Sequence, residues 1–510
     1  MQLQKTIGIP GFTTKVWASS AAIVLLSSFV FFKRESLRKS FKLLGWQKRD
    51  TLHPQPDEPT TSQHAHGTAS EILDRRKKMM CGNQSISYSS EPLVIVKGHG
   101  PYLYDENGTE YLDCVNNVAH VGHCHPKVVE ASNCQLATLN TNTRYLHPAR
   151  MEYMEKLLAT FPDRLSVCFL VCSGTEANDL ALRLARAATN SAEDVIVIDG
   201  AYHGHTSALI DISPYKHGWQ GKGKAPPHVH TVPAPDLYRG GHSKDTTNAG
   251  SFYAQSVCDA VTRLSKDGKR PAAFFAESIL GCCGQVVLPP GYLKKCYSAV
   301  REAGGICVAD EVQVGFGRCG THFWAFETQE VVPDIVTMGK PIGNGYPMAA
   351  VVTTKEIAEK FNNGIEYFNT FGGSTAACVV GKAVLEVIKE ESLQDNALRI
   401  GSYIKEGFER LKDKYECIGY VRGMGLFLGF EVVRDKASKE PDGHMASLLS
   451  LKMKREYKVL ISTDGPYNSV IKIKPPMCFS KVCADKLLTS LDQCLKELSS
   501  SFCEASLGLQ

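Results

Sequence analysis

Five apolar runs constrain this chain more than any other feature: VCFLV at 167–171, VIVID at 195–199, AAFFAE at 272–277, GICVAD at 305–310 and MAAVVTT at 348–354. Each reads as a continuous apolar stretch rather than an alternation, so both faces of each strand must be covered. Helix-length segments separate several of them. This is the pattern of an α/β fold with a mainly parallel sheet under helices. In such sheets functional residues gather beyond the carboxyl ends of the strands, and Ser173, Tyr202, Glu277 and Asp310 all fall there.

Asp310 closes one run, and Lys340 follows in the glycine-rich turn TMGKPIGNGYP. An aspartate at a strand end is by itself often solvated or capping. Paired with a lysine in such a turn it suits an aromatic aldehyde cofactor: the carboxylate keeps a ring nitrogen protonated, and the amine forms a Schiff base. Ser173-Gly174-Thr175 opens the helix-forming run EANDLALRLARAA, where Leu180, Leu184 and Ala188 share a face. That turn presents free N–H groups to an anion, or serves as an ordinary Ser/Thr cap. Tyr202-His203 follows the second run, with the ring either stacked on a cofactor or packed on the core. PYLYDENGTEYLD reads as two strands turning at Asn107-Gly108. In NNVAHVGHCHP, His120, His123 and His125 lack a zinc-like spacing, which favours a loop held by imidazole hydrogen bonds over a metal site.

With 510 residues and 43% apolar content the chain can bury a core spread over more than one domain. A net charge of +4 with no nucleic-acid motif excludes any argument for a nucleic-acid partner. The absence of a GxGxxG turn directly after a strand argues against a nucleotide-binding dehydrogenase. Eighteen irregularly spaced cysteines, two of them adjacent at Cys282-Cys283, read as reduced thiols.

The N-terminus is separate. Val16 to Phe32 is uncharged and apolar, followed by Lys33, Arg34, Arg38, Lys39 and Lys42. Residues 1–49 therefore read as a retained membrane anchor, with contact through 16–32, or as an organelle-targeting segment, since no acid occurs before residue 35. Residues 50–70, with Pro54, Pro56, Pro59, His53, His64 and His66, read as a flexible linker.

SGTEAND, AYHGH, FFAES, DEVQVGFGR, TMGKPIGNGYP and NTFGG, in that order over about residues 71–500, resemble the class-III (ornithine-type) aminotransferases, a pyridoxal-phosphate family. NNVAHVGHCHP, ISPYK, EYFNTFGG, STDGP and IKIKPPMCF are similar to its branch of phospho-lyases acting on O-phosphoethanolamine or 5-phosphohydroxylysine. The resemblance implies a fold-type I transferase. Its large domain, 126–380, would hold a seven-stranded, mainly parallel sheet, and 71–125 with 381–500 would form a smaller α+β domain. It implies that Lys340 carries the cofactor and that Asp310 meets its pyridine nitrogen. Gln313 would approach its phenolic oxygen, and Tyr202 with His203 its ring. Ser173, Gly174 and Thr175 would bind its phosphate, and Glu277 would line the substrate side. Thr370 would reach the phosphate from the partner subunit of a homodimer with shared active sites. Tyr145 and Lys472 would face a small-molecule amine substrate.

The family commonly has an arginine where this chain has Lys472, in VIKIKPPM with Lys474 nearby. Arginine forks onto a carboxylate, whereas lysine is a mobile point charge. The exchange suits a phosphate-bearing amine better than a standard α-amino acid. Two activities follow from the resemblance: elimination of phosphate to give an aldehyde and ammonia, or amino transfer to a 2-oxo acid such as glyoxylate or pyruvate. The soluble catalytic part would then sit in the mitochondrion or at another organelle membrane.

Overall fold

The computed structural model describes residues 67–220, 223–241 and 248–507. The segments read as anchor or targeting region (1–49), and most of the linker, lie outside the described residues. Among the described residues no helix is long and apolar enough to cross a membrane.

Contacts divide the chain into two units, 1–79 and 80–510. In the first, the helix Ala69–Met79 starts inside the stretch read as linker. A reciprocal cap explains it: the Glu71 N–H donates to Thr68 Oγ1, and the Thr68 N–H donates to the Glu71 carboxylate.

The second unit opens on β1 (Ile95–His99), β2 (Tyr102–Asp105) and β3 (Glu110–Asp113). The turn between β2 and β3 at Asn107-Gly108 is tied by Asp105, which accepts from the N–H groups of Asn107 and Thr109. The central sheet follows: β4 (Val167–Val171), β5 (Asp194–Ile198), β6 (Val229–Val232), β7 (Pro271–Glu277), then, after the short pair β8 (Ile279–Leu280) and β9 (Val286–Val287), β10 (Ile306–Asp310), β11 (Ile335–Met338) and β12 (Ala349–Thr353). The seven strands lie in the order β4-β12-β11-β10-β7-β5-β6, and only β12 runs antiparallel to its neighbours.

The continuous apolar runs have the expected consequence. Along β5, Ile196 and Ile198 pack into one core, and Val195 and Val197 into another. Phe274 and Phe275 of β7 divide in the same way, because successive side chains of a strand point to opposite faces. The helices Ala249–Lys266 and Tyr292–Glu302 cover one face of that half of the sheet, and Gly174–Ala188 the other.

A second sheet, β13 (Ile418–Met424), β14 (Phe427–Val432), β16 (Ser462–Asp464) and β17 (Val470–Ile473), is antiparallel in the order β13-β14-β17-β16. The first three strands pair instead with β15 (Val459–Leu460), which runs parallel to β3. The two ends of the second unit therefore share one sheet. Arg318, fully buried, fastens distant segments. It donates to the carbonyls of Leu426 and Pro475 at 3.0 and 2.8 Å and to His120 Nδ1 at 3.1 Å.

The three histidines near residue 120 go separate ways: His120 Nε2 to the Phe316 carbonyl, His123 to Asp113, His125 to Glu391. This is the hydrogen-bonded loop expected, and no cluster of metal-ligating side chains occurs among the described residues. From Cys81 to Cys494, each cysteine is a free thiol.

Candidate active site

Nine of the residues singled out in the sequence line one cavity of about 130 Å³: Ser173, Gly174, Thr175, Tyr202, His203, Glu277, Asp310, Gln313 and Lys340. Register explains the convergence. β10 lies parallel between β7 and β11, so Asp310 stands level with Glu277 on one side and Thr337 on the other. Their carboxyl ends open at the same height.

Asp310 is buried and held from both oxygens. Oδ1 accepts from the Val312 N–H at 3.0 Å. Oδ2 accepts from Asn178 Nδ2 at 2.8 Å and stands 2.8 Å from His203 Nδ1. With a carboxylate as neighbour, Nδ1 is the nitrogen that carries the proton. Asn178 is fixed in turn by the Thr337 hydroxyl, which donates to its Oδ1 at 2.6 Å, and by its own donation to the His203 carbonyl. Sequence reading missed Asn178 and Thr337. The signal for Asn178 was available: it shares a helical face with Ala181 and Ala185, and all three are buried. An amide on such a stripe needs partners.

Glu277 accepts from the N–H groups of Tyr202 and Gly281, and burial together with the neighbouring Asp310 pushes its carboxyl up to about 7. Glu311, turned away from the cavity, accepts from Ser278 and from the N–H groups of Ala325 and Phe326. Burial also pushes it up to about 7.

The turn after β4 is built for close approach. Ser173 Oγ caps the helix Gly174–Ala188 by accepting from the Glu176 N–H. The N–H groups of Gly174 and Thr175 come before any carbonyl of their own helix can accept them. A Cβ at Gly174 would lie 2.7 Å from Val312 Cγ1, and one at Gly339 3.1 Å from the Gly174 Cα, so both positions exclude side chains. Lys340 has φ 24, outside the ordinary regions for a residue with a Cβ.

Gln313 connects the cavity to the second sheet. Its Oε1 accepts from the buried Lys474 ammonium at 3.0 Å. Lys472 lies on β17 outside the cavity lining and holds Asp464 at 2.7 Å. Burial, with Lys472 and Lys340 nearby, pushes the Lys474 ammonium down to about 7.

Thr370 and Tyr145 do not line the cavity of their own chain. Both are exposed, on loops that touch each other. Arg150 donates to the carbonyls of Thr143, Tyr145 and Gly373, and Arg144 pairs with Glu366. Leu146, Ile365 and Phe371 stand exposed on the same loops.

The aminotransferase class-III family model matches residues 85–495. The chain belongs to that family. An alanine–glyoxylate aminotransferase 2-like protein of Drosophila melanogaster is 49% identical over 448 residues, covering 86% of this chain and 90% of its own. An ethanolamine-phosphate phospho-lyase homolog 1 of Caenorhabditis elegans is 42% identical, covering 83% and 93%. The mitochondrial alanine–glyoxylate aminotransferase 2 of Homo sapiens is 42% identical, covering 78% and 80%. Among solved structures, a phospholyase from Arthrobacter in complex with phosphoethanolamine superposes with a TM-score of 0.79 at 38% identity, covering 83% of this chain and 99% of that one.

The fold is that of fold-type I transferases, and the cofactor is pyridoxal 5′-phosphate. The cavity fits that group. Asp310 Oδ1 keeps a lone pair beyond its bond to Val312, the buried Nε2 of His203 has no partner, and the glycine cradle at Gly174 meets the first N–H groups of a helix.

Proposed function

We propose that this protein is a phospho-lyase, removing phosphate from O-phosphoethanolamine or 5-phosphohydroxy-L-lysine to leave an aldehyde and ammonia. The observation that carries the reading is the lysine pair beside the cavity, Lys472 and Lys474. Where the family commonly has an arginine, this chain has a lysine paired to Asp464, with a second, buried lysine behind Gln313. Point charges of this kind suit a phosphate better than a planar carboxylate. The Caenorhabditis relative and the phosphoethanolamine-bound structure support the same reading.

In this reading Lys340 would anchor the cofactor aldehyde, and Asp310, oriented by Asn178 and His203, would hold the ring nitrogen protonated. Gly174 and Thr175 would receive the cofactor phosphate through N–H and hydroxyl, with Ser173 setting that turn, Tyr202 would cover the ring, and the Gln313 amide would serve the phenolic oxygen. Bound pyridoxal phosphate would supply an electron sink for the substrate carbon that carries nitrogen. The Lys340 amine, when free, would take the proton from that carbon. The adjacent C–O bond then breaks, phosphate leaves with its electron pair, and the enamine so formed takes up water to give the aldehyde and ammonia. Glu277, pushed up to about 7, is placed to hold or release a proton at the substrate side.

A second reading, amino transfer to glyoxylate or pyruvate, shares every step up to removal of the proton. The Drosophila and human relatives support it. Phosphate release by the cofactor-loaded protein, tested separately with the two phosphorylated amines and with Lys340→Ala as control, separates the readings. Absence of release together with conversion of the cofactor to its pyridoxamine form by an amino acid would establish the transaminase instead.

We also infer a homodimer in which Thr370 and Tyr145 complete the partner's site. The exposed Leu146, Ile365 and Phe371 beside them form the contact. Leu146→Asp should shift the sedimentation coefficient toward a monomer. Placement in a mitochondrion or at another organelle membrane rests on residues 1–49 and on the human relative's name. Fractionating cells that express the full chain, and a chain lacking residues 1–50, tests it.

A further inference from the structure

The cluster that β16, β17 and Gln313 form beside the cavity carries more positive charge than its own acid neutralises. Asp464 is taken by Lys472 at 2.7 Å. Lys474 is buried and has no carboxylate within ion-pair distance among the described residues; its ammonium donates to Gln313 Oε1, and Gln313 lines the cavity. The titratable groups that face Lys474 are Lys472 on β17, Lys340 on the reactive turn, Asp464 on β16 and the Cys282 thiol after β8. Two cations and one engaged carboxylate thus surround a buried amine. Such an amine either gives up its proton or meets an anion.

Building on the phospho-lyase reading, we propose that Lys474 is the anion sensor of this cavity: a phosphate monoester docking against Gln313 draws a proton from solvent onto the Lys474 amine, and the resulting ammonium fixes the Gln313 amide that holds the phosphate. Lys474 acts through Gln313, so it is a positioning residue. With its ammonium pushed down to about 7, the amine is divided between its two forms near neutral pH. An arriving negative charge shifts that balance toward the protonated form.

The test is calorimetric titration of the cofactor-loaded protein with sulfate near neutral pH, in two buffers of different ionisation enthalpy. Sulfate exchanges no proton of its own there, and the bound cofactor occupies the Gly174 turn. Wild-type protein, in which the cofactor engages Lys340 and Lys472 remains the neighbouring cation, should take up a fraction of a proton per sulfate. Lys474→Met should abolish the uptake and weaken sulfate about tenfold or more. Lys474→Arg, permanently charged, should bind sulfate without uptake, and the visible cofactor band reports that each variant has folded. Absence of sulfate binding, binding without uptake in the wild type, or uptake that persists in both variants overturns the proposal. Phosphate release from O-phosphoethanolamine is measured alongside. Release without Lys474-dependent uptake sinks the sensor and leaves the phospho-lyase standing. Uptake without release leaves an anion-sensing cavity and sinks the phospho-lyase.

Discussion

The cavity and the lysine pair beside it are built on opposite electrostatic terms. On the parallel-sheet side, Asp310, His203, Asn178 and Thr337 form a chain of hydrogen bonds in which both carboxylate oxygens are engaged before any ligand arrives. On the antiparallel-sheet side, Lys472 uses up Asp464, and Lys474 is left with an amide. A network whose members hold one another fixes geometry, because each would lose a partner by moving. An unbalanced one stores a preference for whatever supplies the missing charge. In the proposed function the first would serve the chemistry that family members share, and the second would set the preference for substrate.

The largest expected effect lies in the cavity. Lys340→Ala should lower phosphate release by about a thousandfold or more, since it removes both anchor and base, and the visible band of the bound cofactor should vanish with it. Asp310→Asn should cost on the order of a hundredfold in kcat, as expected when one preorganised electrostatic group is lost. If that variant keeps its rate, the network around Asp310 is scaffolding only.

At the lysine pair the losses should appear in KM. Lys472→Met should raise KM for the phosphorylated substrate about tenfold. It also strands Asp464, so adding Asp464→Asn should recover part of the folding stability that the single change costs. A double variant no more stable than the single one would mean that the pair is not coupled.

The smallest effect is on stability against pH. Glu311, packed behind Asp310, is pushed up to about 7 by burial. An acid whose folded value lies above its unfolded one stabilises the fold while protonated. That contribution is complete below the unfolded value and fades as pH rises through about 7. Lys474, pushed down to about 7, has the opposite sign: its contribution is present at high pH and fades as pH falls through that value. Melting temperatures of the apoprotein between about pH 5 and pH 9 should therefore lose part of their decline toward alkali in Glu311→Gln, the rest coming from Glu277, and their decline toward acid should shrink in Lys474→Met, each by a few degrees.

Much of this was legible in the chain. Continuous apolar runs located five strands of the central sheet, because burial on both faces leaves no polar alternation. The residues at their ends followed from that topology. What stayed hidden depended on distance across the sequence. Thr337 acquires its role only because β11 lies beside β10 in one register. Asn178 reaches Asp310 from a helix. Lys472 could be read as a lysine in place of an arginine, yet nothing nearby in sequence shows that Asp464 claims it and leaves Lys474 the unpaired cation. Thr370 and Tyr145 stand on an exposed surface, and the role proposed for them would need a second copy of the chain.

One close approach has a further consequence. A Cβ added at Gly339 would come 3.1 Å from the Gly174 Cα, so the turn that presents Lys340 passes close to the turn that opens the helix Gly174–Ala188. They leave strands β11 and β4, with β12 between them in the sheet. A shear of the sheet would carry both turns together, leaving the distance between amine and anion cradle unchanged. A methyl group at Gly339 would press on the Gly174 backbone, and one at Gly174 would meet Val312, so the turn after β4 is kept small by the segments that follow both β11 and β10.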